Sequence, residues 1–232
     1  MGSASSVRIF VASAGNEFML DIARLLEDGF RSVGADCRLE VDVVPSAARD
    51  GVLQLVVAPH EFCTLFLAKT LNHARLATAL HETFVLNVEQ PGSGWFDTAW
   101  EFARLARGVF DISREGAAEF RRRGVPALHA ALGYSPLMEA RAVPDLADRP
   151  VDVLFIGHGS TRRQAFFARH ARFFARHHCR IVLVDVSRPR HADTPATTPA
   201  TTASRCSRRA RSSSTSIQPI GPISKPTGRC SA

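Results

Sequence analysis

The feature that most constrains this chain is an alternation: short β-branched, apolar runs take turns with segments whose apolar residues recur every three or four positions. Val7 to Ser13 (VRIFVAS) is the first such run, followed by the turn Ala14-Gly15-Asn16. Phe18, Ile22, Leu25, Leu26, Phe30 and Val33 then fall at helical spacing on one face. Further strand-like runs are Cys37 to Val44, Leu53 to Pro59, Thr83 to Glu89, Gly108 to Ser113, Val151 to Gly157 and Cys179 to Val186. Helical stretches are expected at Leu65 to Leu80, Thr98 to Arg107, Arg114 to Arg123 and Thr161 to His178. Strands that alternate with helices, and runs such as LQLVVA that are apolar on both faces, specify an α/β, Rossmann-like doubly wound parallel sheet. In such sheets ligands bind outside the carboxyl ends of the strands. The loops after Ser13, Pro59, Glu89 and Gly157 are therefore the places to look.

Leu132 to Pro150 holds several prolines and little periodicity, and reads as a connection between two units. The expected organisation is a first domain over residues 7–149 including that connector, the opening of a second α/β unit over 150–189, and a tail over 190–232. Two strands and one helical stretch leave apolar faces uncovered, so the second unit is expected to be incomplete. The tail is a different material, with eight Ser, seven Thr and five Pro among its 43 residues and only Ile217, Ile220 and Ile223 as large aliphatics. It cannot bury enough apolar surface to offset about 1–2 kcal/mol of backbone entropy per ordered residue, and disorder is expected.

Charge follows the same division. Of the formal +7, the tail carries +6 and the body +1. A near-neutral body with one short basic run, Arg205 to Arg211, and no interleaved aromatics is not a nucleic-acid reading surface. The five cysteines show no C-x-x-C spacing, and Met1 to Ser6 lack the basic start and apolar run of an export signal. With no apolar run near the roughly 18 residues of a membrane span, the expectation is a cytoplasmic protein, at most peripheral to a membrane.

Three corners carry candidate chemistry. In VDVLFIGHGSTRR, Gly157-His158-Gly159 ends a buried strand, and Ser160 or Thr161 caps the helix that follows. Arg162 and Arg163 in the first helical turn oppose the helix dipole by about 0.3–1 kcal/mol, a sign that a bound diphosphate would reverse; the alternative is that both reach into solvent. In NVEQPGSGWF, Glu89 and Gln90 with Trp95 beyond suit the binding and deprotonation of a hydroxyl; the alternative is an ordinary turn with Trp95 in the core. In APHEF, His60 is a candidate general base or hydrogen-bond donor with Glu61 orienting it, or a satisfied structural histidine. Gly15 and Asn16 lie at the corresponding end of the first strand. No H-E-x-x-H or paired Cys/His spacing calls for a metal, and no G-x-S-x-G marks a nucleophile elbow.

Taken in order, VVAPHEF, NVEQPGSGWF, FDIS with EFRRRGV, ALGYSP and DVLFIGHGSTRR resemble the bacterial two-domain GT-B glycosyltransferases of the family 1/4-like type, over roughly Val7 to Asp193. The resemblance implies transfer of a sugar from a nucleotide-sugar donor to a hydroxyl acceptor on a glycan, lipid or protein, usually without metal or other cofactor. It implies His60 and Glu89 as catalytic residues, and Gly15, Asn16 and Gln90 on the acceptor side. Gly157, Ser160, Arg162 and Arg163 would meet the donor's diphosphate. His158 departs from the small or polar residue expected in that loop. No counterpart of the family's donor-holding carboxylate segment follows Asp193, so an enzyme truncated in its donor domain, and impaired or inactive, is expected. The alternative is a non-catalytic glycan or acceptor-binding module.

A wrong-frame translation is a further reading of the tail. One GC-rich back-translation of Cys206 to Ala232, read two bases on, yields a helix end, a buried strand and a loop. Sequencing the gene around the codon for Asp193 tests it: an open second frame with an α/β pattern is expected, and stop codons there would end the idea.

Overall fold

The computed structural model describes residues 6–46, 51–139, 145 and 148–184. The expected disorder and alternative frame of the tail fall outside them. Among the described residues the chain forms two compact units, one running to residue 139 and the other taking in 145–183. No helix among these residues is long and apolar enough to cross a membrane.

The first unit is a six-stranded sheet. Its elements are β1 (Ser6–Val11), α1 (Glu17–Ser32), β2 (Asp36–Val41) and β3 (Val52–Val57), then a helical run of α2 (Pro59–Glu61), a π-helical stretch (Phe62–Leu67) and α3 (Ala68–Thr70). After α4 (His73–His81) come β4 (Phe84–Asn87), α5 (Gly94–Ala103), β5 (Gly108–Asp111), α6 (Arg114–Arg122) and β6 (Ala127–His129). The strand order is β2-β1-β3-β4-β5-β6 and all five pairings are parallel. This is the Rossmann-like α/β architecture that the alternating pattern specifies.

Both faces of the sheet are apolar because side chains alternate along each strand. Val7, Ile9 and Val11 of β1 join Leu55 and Val57 of β3 against Met19 and Ala23 of α1. Phe10, Val56, Val85 and Val109 face the other way, onto Phe62, Leu67, Leu80, Phe96 and Phe120. Four of these buried rings pack in pairs, Phe10 with Phe62 and Phe96 with Phe120, the latter with centroids 4.7 Å apart. The second face changes character beside β2, where the described residues between β2 and β3 form no helix. There Arg8 pairs with Glu40 at 2.9 Å, and Ser6, Asp36, Arg38 and Gln54 help line a polar hollow of about 320 Å³.

Several boundaries differ from those the sequence suggests. The helix expected over Leu65 to Leu80 is interrupted because Leu71 is extended and Asn72 begins a new helix, accepting from the Arg75 N–H at 3.0 Å. The helix expected from Thr98 begins at Gly94, because the Ser93 hydroxyl accepts from the Phe96 N–H and caps it. β6 has no clear signal in three residues.

In the second unit, β7 (Val153–His158) pairs with β8 (Cys179–Val184), and α7 (Thr161–Arg169) and α8 (Ala171–Phe174) lie between them in sequence. The single helix expected over Thr161 to His178 breaks at His170, which leaves helical backbone geometry. Phe155 packs edge-on to Phe167, which meets Phe174. On the opposite face of β7, Leu154 and Ile156 are 55% and 40% exposed.

Gly116 in the first turn of α6 shows how closely the first unit is fitted. A Cβ there would lie 2.2 Å from Asp111 Oδ2, too close to the carboxylate of a buried residue to be absorbed. Gly116→Ala is expected to lower stability by about 1–3 kcal/mol, read as a fall in urea midpoint at unchanged m-value. Substitution at Gly133, where nothing lies within 4 Å, is the control expected to leave the midpoint in place.

Candidate functional site

The strand order reverses between β1 and β3, since β1 is followed by a neighbour on one side and β3 opens the series on the other. Such a switch point opens a crevice at the carboxyl ends of the strands. Three short segments converge there. Gly15 and Asn16 follow β1, His60 and Glu61 follow β3, and Glu89 and Trp95 follow β4.

Glu61 ties the two sides of the switch point together. Its carboxylate accepts the Asn16 N–H at 2.8 Å, and the Asn16 side-chain amide donates to its other oxygen. Asn16 is the N-cap of α1 but makes no side-chain cap bond of its own, so Glu61 supplies the anion at that helix N-terminus. The fit leaves no room: a Cβ on Gly15 would lie 2.3 Å from Glu61 Oε2. Gly15 is thus required for this approach and not merely for the turn.

His60 is held by an unusual piece of backbone. Ala58 adopts a left-handed conformation, with φ of 52° directly before Pro59, although its N–H bonds the Leu86 carbonyl at 3.0 Å. Non-glycine residues pay about 1–3 kcal/mol for such geometry, and it collects at ligand sites. The turn sends His60 inward, 2% exposed. Its Nε2 lies 3.4 Å from Glu89 Oε1 and 3.9 Å from Glu61 Oε1. Burial drives its pKa down to about 4, so the ring is neutral near pH 7. Nε2, which faces carboxylate oxygen, is the nitrogen suited to carry the proton of the neutral ring, and Nδ1 is buried without a hydrogen-bond partner.

Glu89 remains accessible, its side chain 24% exposed. Burial, and then the charge of Glu61, raise its pKa above the ordinary 4.5. Its backbone is fixed by Asn87, whose amide donates to the Glu89 carbonyl at 2.8 Å and to Asp111 Oδ2 at 2.7 Å. Asn87 and Asp111 are both fully buried at the ends of β4 and β5. Burial raises the Asp111 pKa while the bonds from Asn87 and the Ser113 N–H oppose that rise.

Trp95 stands in the first turn of α5, 56% exposed, with its ring centroid 6.0 Å from that of His60. It is not the core residue of that turn; the neighbouring Phe96 is. Gln90 is exposed, and its carbonyl accepts the Ser93 N–H and hydroxyl.

The sequence-nominated residues thus fall into two places. Gly15, Asn16, His60 and Glu89 meet in the first unit, with Gln90 on the adjoining turn. Gly157, Ser160, Arg162 and Arg163 belong to the corner after β7. There the Ser160 hydroxyl caps α7 by accepting the Arg163 N–H. The Arg163 guanidinium folds back, donating to the His158 carbonyl at 3.0 Å and lying 5.5 Å from the Phe155 ring. Arg162 is exposed. Sequence reasoning missed Asn87 and Asp111; a polar residue closing each of two otherwise apolar strands is the signal that marks them.

The fold and site define a Rossmann-like α/β unit with an acid–imidazole pair at its switch point. No family model and no curated protein matches the chain.

The titration of His60 has a measurable consequence. Unfolded histidine takes up a proton near 6.5 while the folded residue resists it down to about 4, so stability falls as pH drops through that window. The loss reaches roughly 3 kcal/mol at full protonation. Glu89 acts with the opposite sign: its contribution is complete below 4.5 and fades as pH rises through its higher folded value. Urea midpoints measured from pH 7 to pH 4 are expected to fall in the wild type and to fall less in His60→Gln. Equal slopes would refute the assignment.

Proposed function

We propose that the first unit is the acceptor side of a glycosyltransferase, which moves a sugar from a nucleotide-sugar donor to a hydroxyl. The observation that carries this reading is the pair of His60 and Glu89, 3.4 Å apart at the carboxyl end of the central strands. A partly exposed carboxylate with a raised pKa is suited to accept a proton, and a buried imidazole proton donor is suited to aim it.

In the proposed step, Glu89 is the catalytic base and His60 its positioning residue. The acceptor hydroxyl donates its proton to a Glu89 oxygen as its own oxygen forms a bond to the donor's anomeric carbon. The bond from that carbon to the diphosphate oxygen breaks, and the nucleoside diphosphate leaves with the electron pair. His60 Nε2–H holds the carboxylate in one orientation and stays neutral throughout. Trp95 and the turn from Gln90 shape the wall beside them.

The glycine-containing corner after β7 is proposed as the site that meets the diphosphate. The support is chemical: a capped helix start, a glycine at position 157 near the end of β7, and two arginines in the first turn. Arg163 must exchange its bond to the His158 carbonyl for phosphate oxygens, while Arg162 is already exposed. That engaged Arg163 also favours a second reading, a non-catalytic module that binds a glycan or other hydroxyl-bearing acceptor.

Calorimetric titration of the full chain with UDP- and GDP-sugars separates the two. A transferase shows saturable heat with one of them, weakened about 10- to 100-fold in the Arg162→Ala, Arg163→Ala double variant. With an accepted donor and acceptor, Glu89→Gln is expected to lower kcat by about 10²–10⁴ with little change in KM. Absence of any nucleotide-sugar heat would leave the module reading in its place.

A further inference from the structure

The geometry points to an uncharged sugar ring as the acceptor at this site, stacked on Trp95 with one hydroxyl delivered to Glu89. This deepens the acceptor-side reading of the same cluster and rests on it.

Trp95 is a large apolar ring that the fold has left half uncovered next to a buried histidine. It is fixed there without being packed into the core. The Ser93 cap sets the first turn of α5, Phe96 anchors that turn in the interior, and the tilted contact with the His60 ring steadies the near side. A rigid aromatic surface loses little conformational entropy on binding. The ligand it suits has a flat apolar face and polar edges, because the ring face is apolar and electron-rich while the groups around it are hydrogen-bonding. A pyranose has that shape: its axial C–H groups form one apolar face, and its hydroxyls point outward in the ring plane. The neighbouring Glu89 accepts hydrogen bonds only, which suits a hydroxyl donor.

Charge narrows the choice further. Among the described residues, the segments that leave β1 to β5 at their carboxyl ends carry Glu17, Asp42, Glu61, Glu89 and Glu115 against one arginine, Arg114. A phosphorylated or carboxylated acceptor would meet like charge on approach, with no cation among the described residues paired to Glu89 to offset it. An aliphatic alcohol would use the ring but leave the surrounding acceptors without donors.

The test is calorimetry on the full chain with methyl β-D-glucopyranoside, methyl α-D-mannopyranoside and maltose, set against glucose 6-phosphate, glucuronate and 1-hexanol. At least one neutral sugar is expected to bind, with the anionic sugars and the alcohol at least about tenfold weaker. Trp95→Ala is expected to weaken the neutral sugar about tenfold while Trp95→Phe holds it within about threefold. Because Trp95 is exposed, both variants should keep the wild-type urea midpoint, so a change in binding reports the ring. The inference is overturned if no neutral sugar binds, if an anionic sugar binds as tightly, or if Trp95→Ala binds like the wild type. Its failure differs from that of the transferase reading. Glu89→Gln is read by turnover and Trp95→Ala by sugar binding, so nucleotide-sugar turnover that persists without any role for Trp95 would sink this inference alone.

Discussion

The clasp between Asn16 and Glu61 is the interaction on which the rest of the first unit's site depends. It joins the loop after β1 to the loop after β3 across the point where the strand order reverses, which is where a parallel sheet otherwise gapes. Glu61 serves as an anionic cap for a 16-residue helix, so it is held by backbone and dipole as well as by the amide. With its oxygens committed to Asn16, it adds negative charge near Glu89 without competing for the same closest approach to His60. A neutral residue at position 61 would remove both the cap and that charge. The two effects are linked by geometry, since the same carboxylate that anchors α1 also contributes to the raised pKa of Glu89.

Much of the sheet was legible in the sequence because its strands are buried on both faces. VRIFV and LQLVV have no polar positions at which an alternative register would be tolerated, apart from Arg8 and Gln54, and those line a polar hollow. Helix limits were less legible because they turn on single caps. Ser93 was readable only as part of a Gly- and Pro-rich turn, yet its hydroxyl starts α5 four residues before the periodic pattern becomes evident. The interruption at Asn72 has the same cause. β6 is short and follows a Gly-Val-Pro turn, so local propensity had little to work with, and its place is set by pairing with β5.

At the site, residue types were legible and their partners were not. A histidine and two glutamates at strand ends are visible in any reading of APHEF and NVEQ. That Glu89 approaches His60 more closely than the adjacent Glu61 does is a matter of direction. Ala58 in the left-handed region turns the chain between β3 and α2, and it points the His60 ring across to β4. Nothing in the identity of an alanine announces that conformation, because glycine is the residue expected there. The buried Asn87 and Asp111 were overlooked for a related reason: each reads as the polar end of a strand, and only the parallel register that places them opposite one another makes them a pair.

The electrostatics of the corner follow from unequal burial of its members. His60 is nearly sealed and its charged form is disfavoured, whereas Glu89 is open on one side and keeps access to solvent. If both were buried, the proton shared between them would have nowhere to come from or go. If both were exposed, water would screen the pair, and neither pKa would be displaced enough to matter. Trp95 stands beside the His60 ring and is itself exposed, so Glu89 is the member of the pair that solvent reaches. A reachable carboxylate beside a sealed imidazole is therefore a consequence of where β3 and β4 end relative to the first turn of α5.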